Sequence, residues 1–225
     1  MLGGMSWEST SSYYKTINEG VKNALGNLHS AKIYLHSVDF EEIEKLQHLG
    51  KWDGAAEILS QAAKKIEACG ADFLILCTNT MHKVAPTIEK NISIPFVHIA
   101  DATAERLLSS GISRVGLLGT KFTMEQNFYK GRITENFNIH VITPTVDQQE
   151  IIHKIIYSEL CLGIFNDNSR AEYLEVIEQL HEMGAEAVIL GCTEIALLVS
   201  QQHTKVPLFD TTQIHAEQAI KLAIT

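Results

Sequence analysis

The chain has 225 residues, of which 45% are hydrophobic and 20% are charged, and its formal net charge at pH 7 is −9. This length and composition allow a substantial buried core, in one large domain or in two smaller ones. The acidic balance, without a cluster of basic residues, argues against nucleic acid or another polyanion as a partner.

The apolar segments of the chain are short. No apolar run approaches the roughly 18 residues that suggest a membrane span, and the N-terminus lacks the basic and apolar regions of a signal peptide. The four cysteines do not form the dense framework of a disulfide-rich protein, which fits a reducing compartment. We therefore expect a cytoplasmic protein that makes no contact with a membrane and keeps its cysteines as thiols.

Segments with strand and helix patterns alternate along the chain. Only two residues precede the first glycines, so we expect a short first strand. A further strand is predicted to end at Cys77. Apolar patterns predict the other strands at residues 31–39, 94–99, 114–119, 139–143, 187–190 and 206–209. Helical spacing predicts helices at residues 10–25, 53–69, 101–110, 124–137, 148–162, 169–183 and 212–224. We expect Asp53 to cap its helix, and a short helical pattern toward Lys90 to break near Pro86. This alternation predicts an α/β fold of mostly parallel sheets flanked by helices.

One stretch of the chain occurs twice. Residues 70–82 read GADFLILCTNTMH, and residues 184–196 read GAEAVILGCTEIA. The offset of 115 residues between Cys77 and Cys192 also separates Gly4 from Gly119 (192 − 77 and 119 − 4). A nearly constant offset between separate landmarks predicts two homologous lobes. We expect these pseudo-symmetric lobes at residues 1–100 plus 212–225 and at residues 101–211, with the active site in a cleft between them.

Each copy of the repeat ends an apolar run with Cys-Thr. In open parallel sheets, ligands gather at the carboxyl ends of the strands. The sequence therefore predicts that Cys77 and Cys192 stand at such ends and face one cleft.

Three motifs resemble those of the aspartate/glutamate racemase family: GGMSWEST at residues 3–10, CTNT at residues 77–80 and GCTE at residues 191–194. The Ser-Trp-Glu-Ser-Thr version is similar to the subgroup described as broad-specificity amino-acid racemases. The resemblance implies an isomerase that acts on a small amino acid, needs no pyridoxal phosphate or other cofactor, and forms a homodimer. It assigns catalysis to Cys77 and Cys192.

The chemistry of racemisation suits a pair of cysteines. The Cα proton leaves from one face and a proton returns to the other, so two groups on opposite sides act in turn as thiolate base and thiol acid. An ordinary thiol is mostly protonated at neutral pH. We expect the start of a helix behind each cysteine to favour the thiolate through backbone N–H groups and the helix dipole.

Further residues are candidates for binding the substrate. The resemblance assigns the substrate carboxylate to the segment that follows the first cysteine, and the nearby hydrogen-bond donors are Thr78, Asn79, Thr80 and Thr193. Glu194 either accepts from the substrate ammonium or caps the following helix, and we favour the cap. Met5 and Ser6 are placed near the cleft by the resemblance, but they also fit a turn that packs on the second strand.

The chain departs from the family where aspartate-specific members hold the side-chain carboxylate. Those members have an arginine after the second strand and a lysine in the helix near residues 157–163. Here residues 33–47 contain no arginine, and the lysine position is Cys161. An acidic substrate then lacks the cationic side chains that would bind its side-chain carboxylate. Gln47 is the preferred distal contact, and we expect neutral or broad substrates.

Other interpretations of the same residues remain open. Related carbanion chemistry on this fold includes hydantoin racemisation, decarboxylation and cis–trans isomerisation, and a binding protein without catalysis would keep the same cleft. Cys77 with His82 is conceivable as a nucleophilic pair, but this leaves Cys192 without a role. The histidines and aspartates show no recognised ligand spacing, so we expect no metal. Cys69 and Cys161 lack repeat partners and are expected to be buried packing residues.

Overall fold

The computed structural model describes every residue from Met1 to Thr225. The residues divide into two compact units: the first comprises Met1–Ile99 and His215–Thr225, and the second comprises Ala100–Ile214. None of the helices combines the length and the apolar character that a membrane crossing requires.

Strands and helices alternate through both units. The strands are β1 Leu2–Gly3, β2 His36–Ser37, β3 Leu74–Ile75, β4 Phe96–Val97, β5 Arg114–Gly119, β6 His140–Ile142, β7 Ala187–Gly191 and β8 Leu208–Asp210. The helices are α1 Trp7–Leu25, α2 Phe40–His48, α3 Trp52–Ala68, α4 Ala85–Glu89, α5 Ile99–Ser109, α6 Lys121–Glu125, α7 Asn127–Phe137, α8 Val146–Ser158, α9 Asp167–Glu182, α10 Ile195–Leu198 and α11 Thr211–Ala223. Short 3-10 helices span Thr80–Val84, Leu160–Leu162 and Gln201–His203.

The sheets of the two units have the same strand order. In the first unit, β1 pairs with β2 and β3 pairs with β4, and a bridge between Leu2 and Leu76 joins the two pairs. In the second unit the order is β6-β5-β7-β8. Every pairing is parallel. The predicted α/β class with parallel sheets flanked by helices is confirmed.

Each unit buries its own apolar side chains. In the first unit, Leu59 and Ile66 of α3 pack with Leu74 of β3, and a second cluster gathers Tyr13 and Ile75. In the second unit, the core lies between the sheet and helices α8 and α9. The apolar periodicity of these helices explains the arrangement, because residues three and four apart share one face.

Several predicted boundaries were wrong. The predicted strand at residues 31–39 pairs only at His36–Ser37, since its segment is half exposed at the edge of the sheet. The predicted helix at residues 124–137 is two helices, because Gln126 has an extended backbone. Helix α2 was not predicted as an element of its own.

Of two expectations about helix ends, one was wrong and one was confirmed. Asp53 lies in the first turn of α3, where its charge faces the positive end of the helix, but the N-cap residue is Lys51. The helical segment toward Lys90 does divide next to Pro86, as expected: the 3-10 helix ends at Val84, and Pro86 lies in the first turn of α4, where a missing N–H costs nothing.

Gly4 is required by the close approach of two segments. Its φ is +98°, and a Cβ at this position would lie 2.2 Å from the carbonyl oxygen of Val38. Its own N–H donates to Thr10 Oγ1 at 2.8 Å. The residue therefore brings the start of α1 against the segment after β2, and a side chain would push them apart.

Replacement of Gly4 by alanine is expected to destabilise the protein more than the same change at Gly26. Gly26 also has a positive φ, +76°, but a Cβ there would meet nothing within 4 Å. The cost at Gly26 is then about 1–3 kcal/mol, because a φ of 76° with a ψ of −172° is a backbone conformation that is essentially restricted to glycine. At Gly4 the displaced backbone of Val38 raises the loss to roughly 3 kcal/mol or more. The midpoint of urea unfolding measures both variants, and equal losses would contradict the role of the contact.

Candidate active site

Cys77 lies at the carboxyl end of β3, beside the first strand. Its N–H donates to the carbonyl of Leu2 at 2.8 Å, and its carbonyl accepts from Ser9 Oγ at 3.0 Å. The side chain is fully buried, and this burial raises the pKa of the thiol to about 12. The backbone of Cys77 is thus fixed on both sides, and its thiol is neutral.

Cys192 lies directly after β7 in the second unit. Gly119 and Gly191 are register partners at the ends of β5 and β7, so the next residues, Thr120 and Cys192, are neighbours at the same edge. The Cys192 thiol donates to Glu194 Oε2 at 2.9 Å. Burial first, and then the negative charge of Glu194, raise the pKa of this thiol well above its ordinary value.

The expectation that helix starts lower the pKa values of both thiols was wrong. Cys77 is followed by the 3-10 helix Thr80–Val84, and Cys192 by the four-residue helix α10. Such short helices carry only a small dipole, whereas burial removes most of the water around each thiol. Desolvation therefore dominates, and both pKa values move upward.

The expected capping role of the Glu194 side chain was also wrong. Glu194 occupies the N-cap position of α10, but its side chain makes no capping hydrogen bond. Its Oε2 atom accepts instead from Cys192 Sγ and, at 2.7 Å, from Thr193 Oγ1. The carboxylate is turned back toward the cysteine that precedes it, so it is a candidate proton acceptor for that thiol.

The residues that follow each cysteine are buried at the same strand ends. Thr78, Asn79 and Thr80 are at most 8% exposed, as is Thr193. The N–H of Thr78 donates to the carbonyl of Leu76 at 2.9 Å, which turns the chain sharply after Cys77. Their role in holding a substrate carboxylate stays a prediction.

Met5 and Ser6 are placed by the start of α1. Ser6 is the N-cap of α1, and its side chain accepts from the N–H of Ser9 at 3.3 Å. Met5 packs in the core of the first unit. These contacts fit the interpretation of the two residues as a structural turn, and their contact with substrate stays a prediction.

Gln47 is buried in α2, with 3% of its surface exposed. Its Nε2 atom lies 2.8 Å from Met81 Sδ. Met81 belongs to the 3-10 helix after Cys77, so Gln47 supports that segment from behind. Its proposed contact with the distal end of a substrate stays a prediction.

The other two cysteines differ from the expected buried packing residues. Cys69 is exposed at the end of α3. Cys161 is half-buried and packs against the core that contains Cys192. No group of three or more histidine, cysteine, aspartate or glutamate side chains is arranged to hold a metal ion.

Two residues of the site were missed by the sequence interpretation. Ser9 donates to the Cys77 carbonyl, and Thr120 lies beside Cys192 as the N-cap of α6. A signal for Thr120 was present, because the repeat aligns Leu118-Gly119-Thr120 with the Gly-Gly-Met segment. Ser9 had no such signal, since its contact joins α1 to a distant strand end.

Comparison with known proteins agrees with this geometry. A family model described as Asp/Glu/Hydantoin racemase matches residues 2–219. The chain belongs to this family. Its fold is thus that of a racemase family member, and the protein is an isomerase.

Three relatives illustrate the similarity. The broad specificity amino-acid racemase RacX of Bacillus subtilis is 23% identical over 98% of this chain and 95% of that protein. A Yersinia pestis crystal structure, provisionally assigned as an Asp/Glu racemase, is 54% identical with a TM-score of 0.93 and covers 100% of this chain and 97% of its own. An aspartate racemase homologue from Pyrococcus horikoshii is 33% identical with a TM-score of 0.86, at the same coverage.

Replacement of Glu194 by glutamine is expected to lower the pKa of the Cys192 thiol. The variant removes a negative charge that raises this pKa but keeps an acceptor oxygen. Alkylation by iodoacetamide, followed by peptide mass spectrometry over a pH series, measures the midpoint for each cysteine. The profile of Cys77 is the internal control. An unchanged or higher midpoint for Cys192 would contradict the interaction.

Proposed function

We propose that the protein is a cofactor-independent amino-acid racemase or epimerase in which Cys77 and Cys192 exchange protons with Cα. The observation that carries the proposal is the equivalent placement of the two cysteines. Each follows a central strand of a parallel sheet, and the two sheets have the same strand order. A duplicated strand end with one thiol in each copy suits a reaction that needs one acid/base group for each face of a carbon atom.

Both cysteines are proposed to work from the neutral state. One thiol first loses its proton, then removes the Cα proton, while the other thiol donates to the opposite face. A thiolate with a raised pKa is a stronger base toward the weakly acidic Cα–H. For Cys192, Glu194 Oε2 at 2.9 Å is the proposed acceptor of the thiol proton. When Cys192 acts as the base, Cys77 gives its proton to the opposite face and is left as the thiolate. This thiolate is the base for the reverse direction, while the first proton stays on Glu194.

The carbanion requires a neutralised or hydrogen-bonded substrate carboxylate. Thr78, Asn79, Thr80 and Thr193 are proposed to supply hydroxyl, amide and backbone N–H donors. Preorganised donors of this kind each lower a barrier by about 3 kcal/mol. The chain segment that holds the first three of these residues is buried and fixed by hydrogen bonds on both sides, which supports the assignment.

The reaction is tested in deuterated water without added pyridoxal phosphate. Single enantiomers of a panel of amino acids are incubated with the protein, and Cα–H loss and optical rotation are followed. Exchange with inversion is expected for the wild-type protein. Cys77→Ser and Cys192→Ser are each expected to lose at least 100-fold in racemisation in both directions, because each direction uses both thiols.

Cys69→Ser is the matched control for these variants. Cys69 is exposed at the end of α3, and its replacement is expected to leave racemisation unchanged. Full activity in Cys77→Ser or Cys192→Ser would refute the two-base mechanism. If no amino acid exchanged its Cα proton while a hydantoin did, the same two-thiol chemistry would be assigned to hydantoin racemisation.

The substrate is proposed to be neutral or broad in class. After burial, the negative charge of Glu194 is the main cause that raises the pKa of the Cys192 thiol, so an acidic group lies beside this cysteine. Glu159 adds a further acid near the buried hydroxyl of Tyr173. A second carboxylate on the substrate would meet these groups without a cationic clamp, and so would bind less well.

Neutral polar amino acids are therefore expected to have a kcat/KM at least tenfold higher than that of aspartate. Cys161→Lys adds a cation at the position where aspartate-specific members carry one. It is expected to lower the ratio of kcat/KM for neutral polar amino acids to kcat/KM for aspartate, whereas Cys161→Ser is expected to leave this ratio unchanged. Steady-state kinetics with glutamine and aspartate measure the ratio. Inversion confined to aspartate or glutamate would keep the mechanism and refute the substrate class.

Three further properties of the protein stay predictions: the cytoplasmic location, the homodimer, and the division into two functional lobes at residues 1–100 plus 212–225 and at residues 101–211.

A further inference from the structure

His82 is buried in the 3-10 helix that follows Cys77, with 1% of its surface exposed. Its Nδ1 atom lies 2.8 Å from the carbonyl oxygen of Thr78. Its Nε2 atom lies 3.2 Å from the backbone nitrogen of Ile99, at the start of α5. The imidazole thus bridges the residue after Cys77 and the residue at which the chain leaves the first unit.

The two partners determine the tautomer of the ring. A carbonyl oxygen only accepts, so Nδ1 must carry the proton; a backbone N–H only donates, so Nε2 must be free of one. His82 is therefore neutral and protonated on Nδ1. In this form each ring nitrogen satisfies one buried backbone group that would otherwise lose its hydrogen bond.

Neighbouring rings hold this imidazole in place. The ring centroids of His98 and Phe96 lie 4.5 Å and 5.5 Å from that of His82, and His215 lies 5.9 Å away. His215 is itself fixed, because its Nδ1 accepts from the Tyr13 hydroxyl and its Nε2 donates to the Val97 carbonyl, each at 2.8 Å. Burial lowers the pKa of His215 to about 4, so this ring is neutral as well.

We propose that His82 is a positioning residue, which fixes the Thr78-Asn79-Thr80 backbone behind Cys77 through the hydrogen bond from Nδ1 to the Thr78 carbonyl. This inference rests on the proposed function, because that backbone is the segment assigned to the substrate carboxylate. Leu2 and Ser9 hold the N–H and the carbonyl of Cys77 itself, and the N–H of Thr78 donates to the Leu76 carbonyl. His82 extends the fixed segment beyond the cysteine to the residues that meet the substrate.

Three variants separate the hydrogen bond from simple packing. In His82→Asn the side-chain amide nitrogen occupies the place of Nδ1, and so the donor to Thr78 is kept. His82→Gln carries its amide near the place of Nε2, and His82→Leu fills the volume without a polar atom. Positioning predicts that asparagine retains kcat within about threefold, whereas glutamine and leucine each lose at least 30-fold. A packing role predicts the reverse order, because asparagine is the smallest of the three and leaves the largest cavity.

A second measurement does not depend on turnover. The rate of Cys77 alkylation by iodoacetamide, read by peptide mass spectrometry, is expected to rise at least tenfold in the glutamine and leucine variants and to stay near the wild-type rate in the asparagine variant. Cys192 in the same samples is the internal reference. Tyr129→Phe, which removes a buried hydrogen bond to Thr103 outside the cluster around His82, controls for a general loss of stability and is expected to leave both rates unchanged.

The two measurements distinguish the failure of each proposal. If the wild-type protein racemises nothing while Cys77 alkylation follows the expected order, the proposed function fails and the positioning role stands. Equal rates of Cys77 alkylation in all three variants would overturn the positioning role of His82. Equal racemase activity of the His82→Leu and His82→Asn variants would overturn it as well. Should the leucine variant fail to fold, the comparison of asparagine with glutamine decides the same question.

Discussion

Each candidate cysteine depends on the pairing between its own strand and the first strand of its unit. The Cys77 amide donates to the Leu2 carbonyl, and the register of β5 with β7 runs to the residue before Cys192. Parallel pairing brings these strand ends to one edge of each sheet. A shift of one residue would turn either thiol to the opposite face of its sheet. The chemistry of both sites therefore rests on backbone register.

Burial acts in two opposing ways on these thiols. It keeps both of them neutral, which suits the group that donates a proton, and it makes either thiolate more basic once formed. The two copies have also diverged. Cys192 has a carboxylate, Glu194, beside its sulfur, whereas the contacts of Cys77 with Leu2 and Ser9 are made by its backbone. The two units thus share a strand order but differ in the groups that surround their cysteines.

The sequence predicted most reliably what depends on local apolar patterns. Strand β5 occurs at the predicted residues, because five of its six residues are buried in the sheet. The edge strand β2 was predicted too long, because an exposed alternation of apolar residues does not reveal how many of them pair with the neighbouring strand. The placement of both cysteines at strand ends followed from the repeat.

What the sequence did not reveal depends on side-chain direction and burial. Glu194 is compatible with a helix cap or with the thiol, and only the fold decides between them. The upward shift of the pKa of Cys77 likewise follows from tertiary packing, which outweighs the short helix that the sequence indicates. Contacts over long separations, such as Ser9 with the Cys77 carbonyl, leave no local pattern.

The first unit is assembled from two separate stretches of sequence, and this has a consequence for folding on the ribosome. Residues 1–99 are synthesised before the second unit, and residues 215–225 after it. Ala216 and Ala219, from the late stretch, belong to the buried cluster that contains Tyr13 and Cys77. The unit that contains Cys192 comes from one continuous stretch, whereas the buried surroundings of Cys77 cannot be completed before residues 215–225 have been synthesised.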